Sequence, residues 1–99
     1  MRAITKQSVE AFMNAEPFKQ SNMEVEVLPN VTVLKLFGKS IAYRYNDSKR
    51  TISITNCGWK TPTTKERLNA IPNVNIQQTN FKWFLNGIEW DGKLIDVKK

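Results

Sequence analysis

Residues 23–55 read MEVEVLPNVTVLKLFGKSIAYRYNDSKRTISIT, and their periodicity decides the fold. Met23, Val25 and Val27 alternate with Glu24 and Glu26, the period-two pattern of a strand with one buried face. Pro29-Asn30 breaks the run. Residues 31–37 form a more continuously apolar strand, Gly38-Lys39 supplies a tight connection, and residues 40–45 set Ile41, Tyr43 and Tyr45 against Ala42 and Arg44. Asn46-Asp47-Ser48 reads as a third turn, because short Asx side chains mimic a backbone turn and tolerate left-handed geometry. Residues 50–55 return through Ile52 and Ile54. The stretch predicts an antiparallel four-stranded meander.

Upstream, Thr5 reads as a helix N-cap with Ser8 three residues on, and Ile4 and Val9 are spaced as a hydrophobic staple. Val9, Phe12 and Met13 then recur at helical spacing to about Glu16, where Pro17 stops the run. Downstream, Asn56-Cys57-Gly58 breaks the last strand and Trp59-Lys60 crosses over. Pro62-Thr63 opens a short second helix, with Thr63 and Glu66 matching a capping box. This helix is expected over about 64–70, with Leu68 and Ile71 inward and Lys65, Glu66 and Arg67 largely outward, ended by Pro72. Val74 and Ile76 begin a further strand. Residues 81–85, Asn86-Gly87 and residues 88–90 read as a C-terminal β-hairpin, since Asn-Gly suits the left-handed positions of a type I′ turn. The residues after Trp90 are polar and are expected to fray. The order gives an α+β domain: N-terminal helix, four-stranded meander, short second helix, C-terminal hairpin, with the helices on one sheet face and the other face wet. Arg44, Thr51, Ser53, Lys82 and Phe84 are the candidates for that open face.

The chain has 99 residues and a mass of 11.4 kDa, so one domain over 1–99 is expected, its core spanning about 4–90, with a radius of gyration of about 13 Å. With no histidine, a Ser-His-Asp or Cys-His pair is impossible within the chain, as is any histidine metal ligand. Cys57 is the single cysteine; it cannot form an intramolecular disulfide and falls far short of a zinc site. A lowered pKa would make it a reactive thiol, but a lone Cys is more often a small packed residue. No phosphate loop, dinucleotide fingerprint or carboxylate cluster is present. The chain is therefore expected not to be an enzyme and to need no cofactor or metal. The beginning MRAITKQ lacks the apolar run of a signal peptide, and no window approaches a membrane span.

The formal net charge is +6, and its placement is uneven. Residues 1–30 are slightly acidic and residues 83–99 are neutral. Between them Lys35, Lys39, Arg44, Lys49, Arg50, Lys60, Lys65, Arg67 and Lys82 face only Asp47 and Glu66. Such a segment attracts polyanions, most commonly nucleic acid, although many small basic domains carry charge only for solubility. Cations track phosphates and flat rings stack on bases, which makes Arg44, Arg50, Trp59, Lys60, Lys65, Arg67, Lys82 and Phe84 the candidate nucleic-acid-binding residues. A tryptophan such as Trp59 is more often core than platform. A helix-turn-helix reading of Lys65, Arg67 and Asn69 fails on context, because the second helix follows a strand and has barely two turns.

The segments TNCGWKTPTTKERLN at 55–69 and WFLNGIEWDG at 83–92 resemble a family of small proteins encoded by tailed bacteriophages. The likeness extends loosely over residues 4–92, and Cys57 stands where that pattern usually has a small residue such as alanine. The resemblance implies a one-domain accessory product made in the bacterial cytoplasm and assigns no activity to any residue. Two partner classes follow: nucleic acid bound with little sequence preference, or a bacterial host or defence protein that the chain blocks. No membrane partner is expected.

Overall fold

The alternation in 23–55 folds as the pattern requires. The computed structural model describes residues 2–97 and places β2 (Met23–Val27), β3 (Val31–Leu36), β4 (Lys39–Tyr45) and β5 (Ile52–Ile54) in one antiparallel meander. Val25, Leu34, Ala42 and Ile54 lie in one cross-strand row, and all four are buried. A bulge between Leu34 and Lys35 puts Ile41 and Ala42 both in the core, where strict alternation would expose one of them. Two short strands extend the sheet at its edges: β1 (Phe18–Gln20) beside β2, and β9 (Ile95–Val97) beside β5.

The second half builds another layer. β6 (Ile76–Thr79), β7 (Lys82–Leu85) and β8 (Ile88–Glu89) form a three-stranded antiparallel sheet. It turns Ile76, Trp83 and Leu85 into the same hydrophobic cluster as Val25, Leu34 and Ile54. Helices α1 (Ala3–Met13) and α2 (Pro62–Asn69) add Val9, Phe12 and Leu68 to that cluster. The α+β class holds, and the radius of gyration of 12.6 Å matches the size expected for this chain length.

Four expectations are corrected. First, α1 begins at Ala3 with Arg2 as its N-cap and no side-chain cap, so Thr5 and Ser8 lie inside the helix and are buried. Second, α2 is capped by Thr61, whose side chain accepts from the Thr64 amide at 3.2 Å. Thr63 is therefore not the cap, and Glu66 binds Thr5 and Arg67. Third, residues 91–97 do not fray: Ile95–Val97 completes the sheet against β5, Ser53 donates to Asp96, and the Trp90 indole donates to the Lys93 carbonyl at 2.9 Å. Residues 98 and 99 lie outside the described residues. Fourth, the proposed open face does not exist as one surface. Arg44 shares the face of Ala42, Ser53 lies on the opposite face beside Tyr43, and Lys82 and Phe84 belong to the other sheet. The face opposite the core row is of mixed charge; there Glu26 pairs with Lys35 at 2.8 Å, and this hydrogen bond raises the lysine pKa.

Of the four glycines, Gly92 alone is closely approached, by Asn56. Gly92 has φ +88, and a Cβ there would sit 2.2 Å from the Asn56 amide nitrogen. Asn56 cannot move freely, because its Oδ1 accepts from the Gly58 amide at 2.8 Å and its backbone N–H donates to the Gly92 carbonyl at 3.1 Å. Gly92→Ala is expected to cost about 2 kcal/mol, roughly half from left-handed strain and half from the displaced Asn56 hydrogen bond. A urea melt checks this, and an unchanged midpoint would show that the loop relaxes.

Candidate functional site

Three turns are joined by direct contacts, and each carries an aromatic residue. The β3–β4 turn holds Phe37 and Gly38 at φ 51 and 77; the β6–β7 turn holds Asn80 and Phe81 at φ 51 and 66. Consecutive left-handed residues are what type I′ hairpins need, because their twist matches that of the strands. Between them, Cys57 and Gly58 take φ 54 and 80, and the Trp59 amide closes this loop onto the Asn56 carbonyl at 2.8 Å.

The rings and lysines of these turns meet. Phe37 lies 5.9 Å from Trp59 between centroids, and the Lys39 ammonium sits 5.3 Å from the Trp59 ring, within the range of a cation–π contact. Lys60 Nζ donates to the Phe81 carbonyl at 2.6 Å, and Lys65 Nζ reaches Gln78 Oε1 at 3.4 Å on β6. Phe81 is 86% exposed and Phe37 60% exposed, whereas Trp59 is half-buried. A groove of about 600 Å3 runs beside Phe37 and is lined by Lys19, Asn22 and Met23. Lys82 is exposed at the start of β7, and its nearest carboxylate, Glu89, stands 4.0 Å away.

The candidate residues from the sequence thus separate. Trp59, Lys60, Lys65 and Lys82 gather around the turns. Phe84 is half-buried on β7, between Gln77 and Glu89, on the same side of that strand as Lys82. Arg44 and Arg50 line a different cleft, with Met13, Ile52 and Pro72. Arg67 leaves the candidate set, because it is only 1% exposed. It occupies the inward stripe of α2 with Thr64 and Leu68, and its guanidinium donates to Thr5 Oγ1 and Glu66. Burial pushes its pKa below the ordinary arginine value.

Phe37 and Phe81 were missed because each borders a strand in the sequence and reads as its end residue. The available signal was positional: an aromatic stands next to Gly38 or Asn80, at turn positions where small or Asx residues are favoured. The Cys57 residue is exposed, its thiol donates to the Ser40 carbonyl at 2.8 Å, and desolvation raises its pKa, opposed by Lys39. The thiol therefore lacks the activation of a nucleophilic cysteine.

Residues 1–97 match the sequence model of the Kyanoviridae Gp96 protein family. The chain belongs to that family. Kyanoviridae Gp96 is a bacteriophage protein family, so the expected phage kinship holds at that level. No curated protein and no solved structure matches this Gp96 family chain. None of its helices among the described residues is long and apolar enough to cross a membrane.

Proposed function

We propose that this phage protein is a non-enzymatic module of the bacterial cytoplasm that binds nucleic acid with little sequence preference, taking single strands on the three aromatic turns. The observation that carries this reading is the placement of Phe37 and Phe81. A left-handed non-glycine residue costs about 1–2 kcal/mol, and a largely exposed ring returns little of that through burial. Nine non-glycine residues among the described ones take positive φ; what sets Phe37 and Phe81 apart is that the strained residue is an exposed ring beside Lys39, Lys60 and Lys82, and strain at an exposed binding group is of the kind found at functional sites. Stacking on each ring contributes about 1–3 kcal/mol per base and tolerates any base. A duplex has no free base face to offer, so it is the weaker ligand.

Binding is measurable by tryptophan quenching, because Trp83 and Trp90 are buried and Trp59 is the partly accessible indole. With Lys39, Lys60, Lys65 and Lys82 engaged, single-strand affinity is expected to fall with a log-log salt slope of about −3. The K39A/K60A/K82A variant should flatten the slope to about −1 and keep the wild-type melting curve. A triple change that includes Arg67 is unsuitable, since it would also disturb the core. Absence of quenching by oligonucleotides at low salt sinks the nucleic-acid reading.

A second reading, a blocker of a bacterial host protein, is favoured by a separate feature. Ile88 is 75% exposed, and with Ile95 it lines a cleft of about 270 Å3 between β8 and β9. Under this reading Ile88→Asp abolishes capture of a host protein from nuclease-treated lysate, whereas K39A/K60A/K82A does not.

A further inference from the structure

At the other end of β4, the 46–50 turn brings Arg44 and Arg50 to one cleft of about 260 Å3. Met13 at the end of α1, Ile52 of β5, Pro72 after α2 and Val97 of β9 form its apolar walls, and Asn73 borders it. Among the described residues, neither guanidinium has a carboxylate or hydrogen-bond partner. The reason is local. Asp47, the carboxylate of the connecting turn, is committed to Thr51, accepting from its amide at 3.2 Å and its hydroxyl at 3.3 Å. The carbonyls at the nearby end of α1 are likewise occupied: Glu10, Ala11 and Phe12 accept from the amides of Asn14, Glu16 and Ala15. The cleft thus presents two guanidiniums that pair with no carboxylate among the described residues.

We propose that the Arg44–Arg50 cleft is a phosphomonoester site, taking the terminal phosphate of a nucleotide or of a nucleic-acid strand. Arginine forks bind phosphate oxygens bidentately, and two forks suit a terminal dianion better than a singly charged internal diester. The apolar walls lower the local dielectric and strengthen that attraction. The volume lies just below the roughly 300–1,000 Å3 of sites that enclose a whole small molecule, so the cleft fits a phosphate and the atoms next to it. It is distinct from the aromatic turns: Lys39 and Arg44 are five residues apart along β4, or about 17 Å.

The test uses the full-length 15N-labelled protein and follows the Arg44 and Arg50 side-chain Nε–H resonances. The probes are inorganic phosphate, adenosine 5′-monophosphate, and one short oligonucleotide with a 5′-phosphate or a 5′-hydroxyl. Both resonances are expected to shift saturably with phosphate and with the nucleotide. R44Q and R50Q should each weaken the nucleotide affinity about tenfold, and K39A/K60A/K82A should leave it unchanged. R50Q alters an exposed side chain, so it remains informative if R44Q fails to fold. A 5′-phosphate preference that R44Q removes identifies a strand end as the source of the phosphate; equal binding of the two oligonucleotides identifies the free nucleotide. No saturable shift up to millimolar phosphate or nucleotide, or unchanged binding by R50Q, overturns the proposal. Loss of stacking on the aromatic turns alone leaves it standing.

Discussion

Phe12→Ala is expected to destabilise the protein by about 3–5 kcal/mol. The ring is fully buried on the inner face of α1, in the cluster that also holds Met23, Leu34 and Trp83. Truncation removes the transfer free energy of the ring and leaves a cavity that the surrounding β-sheet closes only in part, because its backbone is fixed by ladder hydrogen bonds. A domain of this length has about 5–15 kcal/mol of total stability, so the loss consumes a large share of it. In urea the midpoint should fall steeply with an unchanged slope. A loss below about 1 kcal/mol would mean that the ring is not packed as described.

The second large effect concerns the ion pair at the junction of the helices. Arg67 is buried; it donates to Thr5 Oγ1 and Glu66, lies 3.4 Å from Asn22 Oδ1 through Nη2, and has no partner for Nε among the described residues. Glu66→Ala leaves this guanidinium in the interior without its counter-charge. Breaking a buried pair from one side costs about 3–5 kcal/mol; because the Glu66 side chain is 34% exposed, about 2–4 kcal/mol is expected here. Arg67→Met removes the charge together with the need to compensate it, keeps most of the side-chain volume, and should cost about 1 kcal/mol or less. The order of the two is the sharp part of the prediction. If thermal melts show Arg67→Met to be the more damaging change, the guanidinium holds α1, α2 and the β1–β2 turn together through its hydrogen bonds, and its charge is not a burden.

The same arginine shows where reading the sequence stops. In the pattern of α2, Leu68 and Ile71 announce an inward stripe, and Thr64 and Arg67 fall on it by helical spacing. Charge argues the opposite placement for Arg67, because an arginine is rarely fully buried unless paired. The partners that permit burial, Thr5 and Asn22, stand 62 and 45 residues away in the chain, and no local pattern reveals them. The candidate site divides in the same manner. Trp59, Lys60 and Lys82 were legible as an aromatic among cations. Phe37 and Phe81 were not, because a shift of one residue between strand end and turn tip decides whether a ring packs or protrudes.

What the sequence determined by itself is the set of properties governed by neighbours along the chain. Alternation made the meander, Pro17 and Pro72 marked where the helices must already have ended (they stop at Met13 and Asn69), and the absence of histidine removed whole classes of chemistry. Tertiary structure alone decided which of the basic residues share a surface. It buried Arg67, gathered Lys39, Lys60 and Lys82 near three turns, and paired Arg44 with Arg50 in a cleft at the far end of β4. The physical reason is range: periodicity acts over one strand or one helical turn, whereas the meeting of charges depends on how two sheets and two helices close on one core.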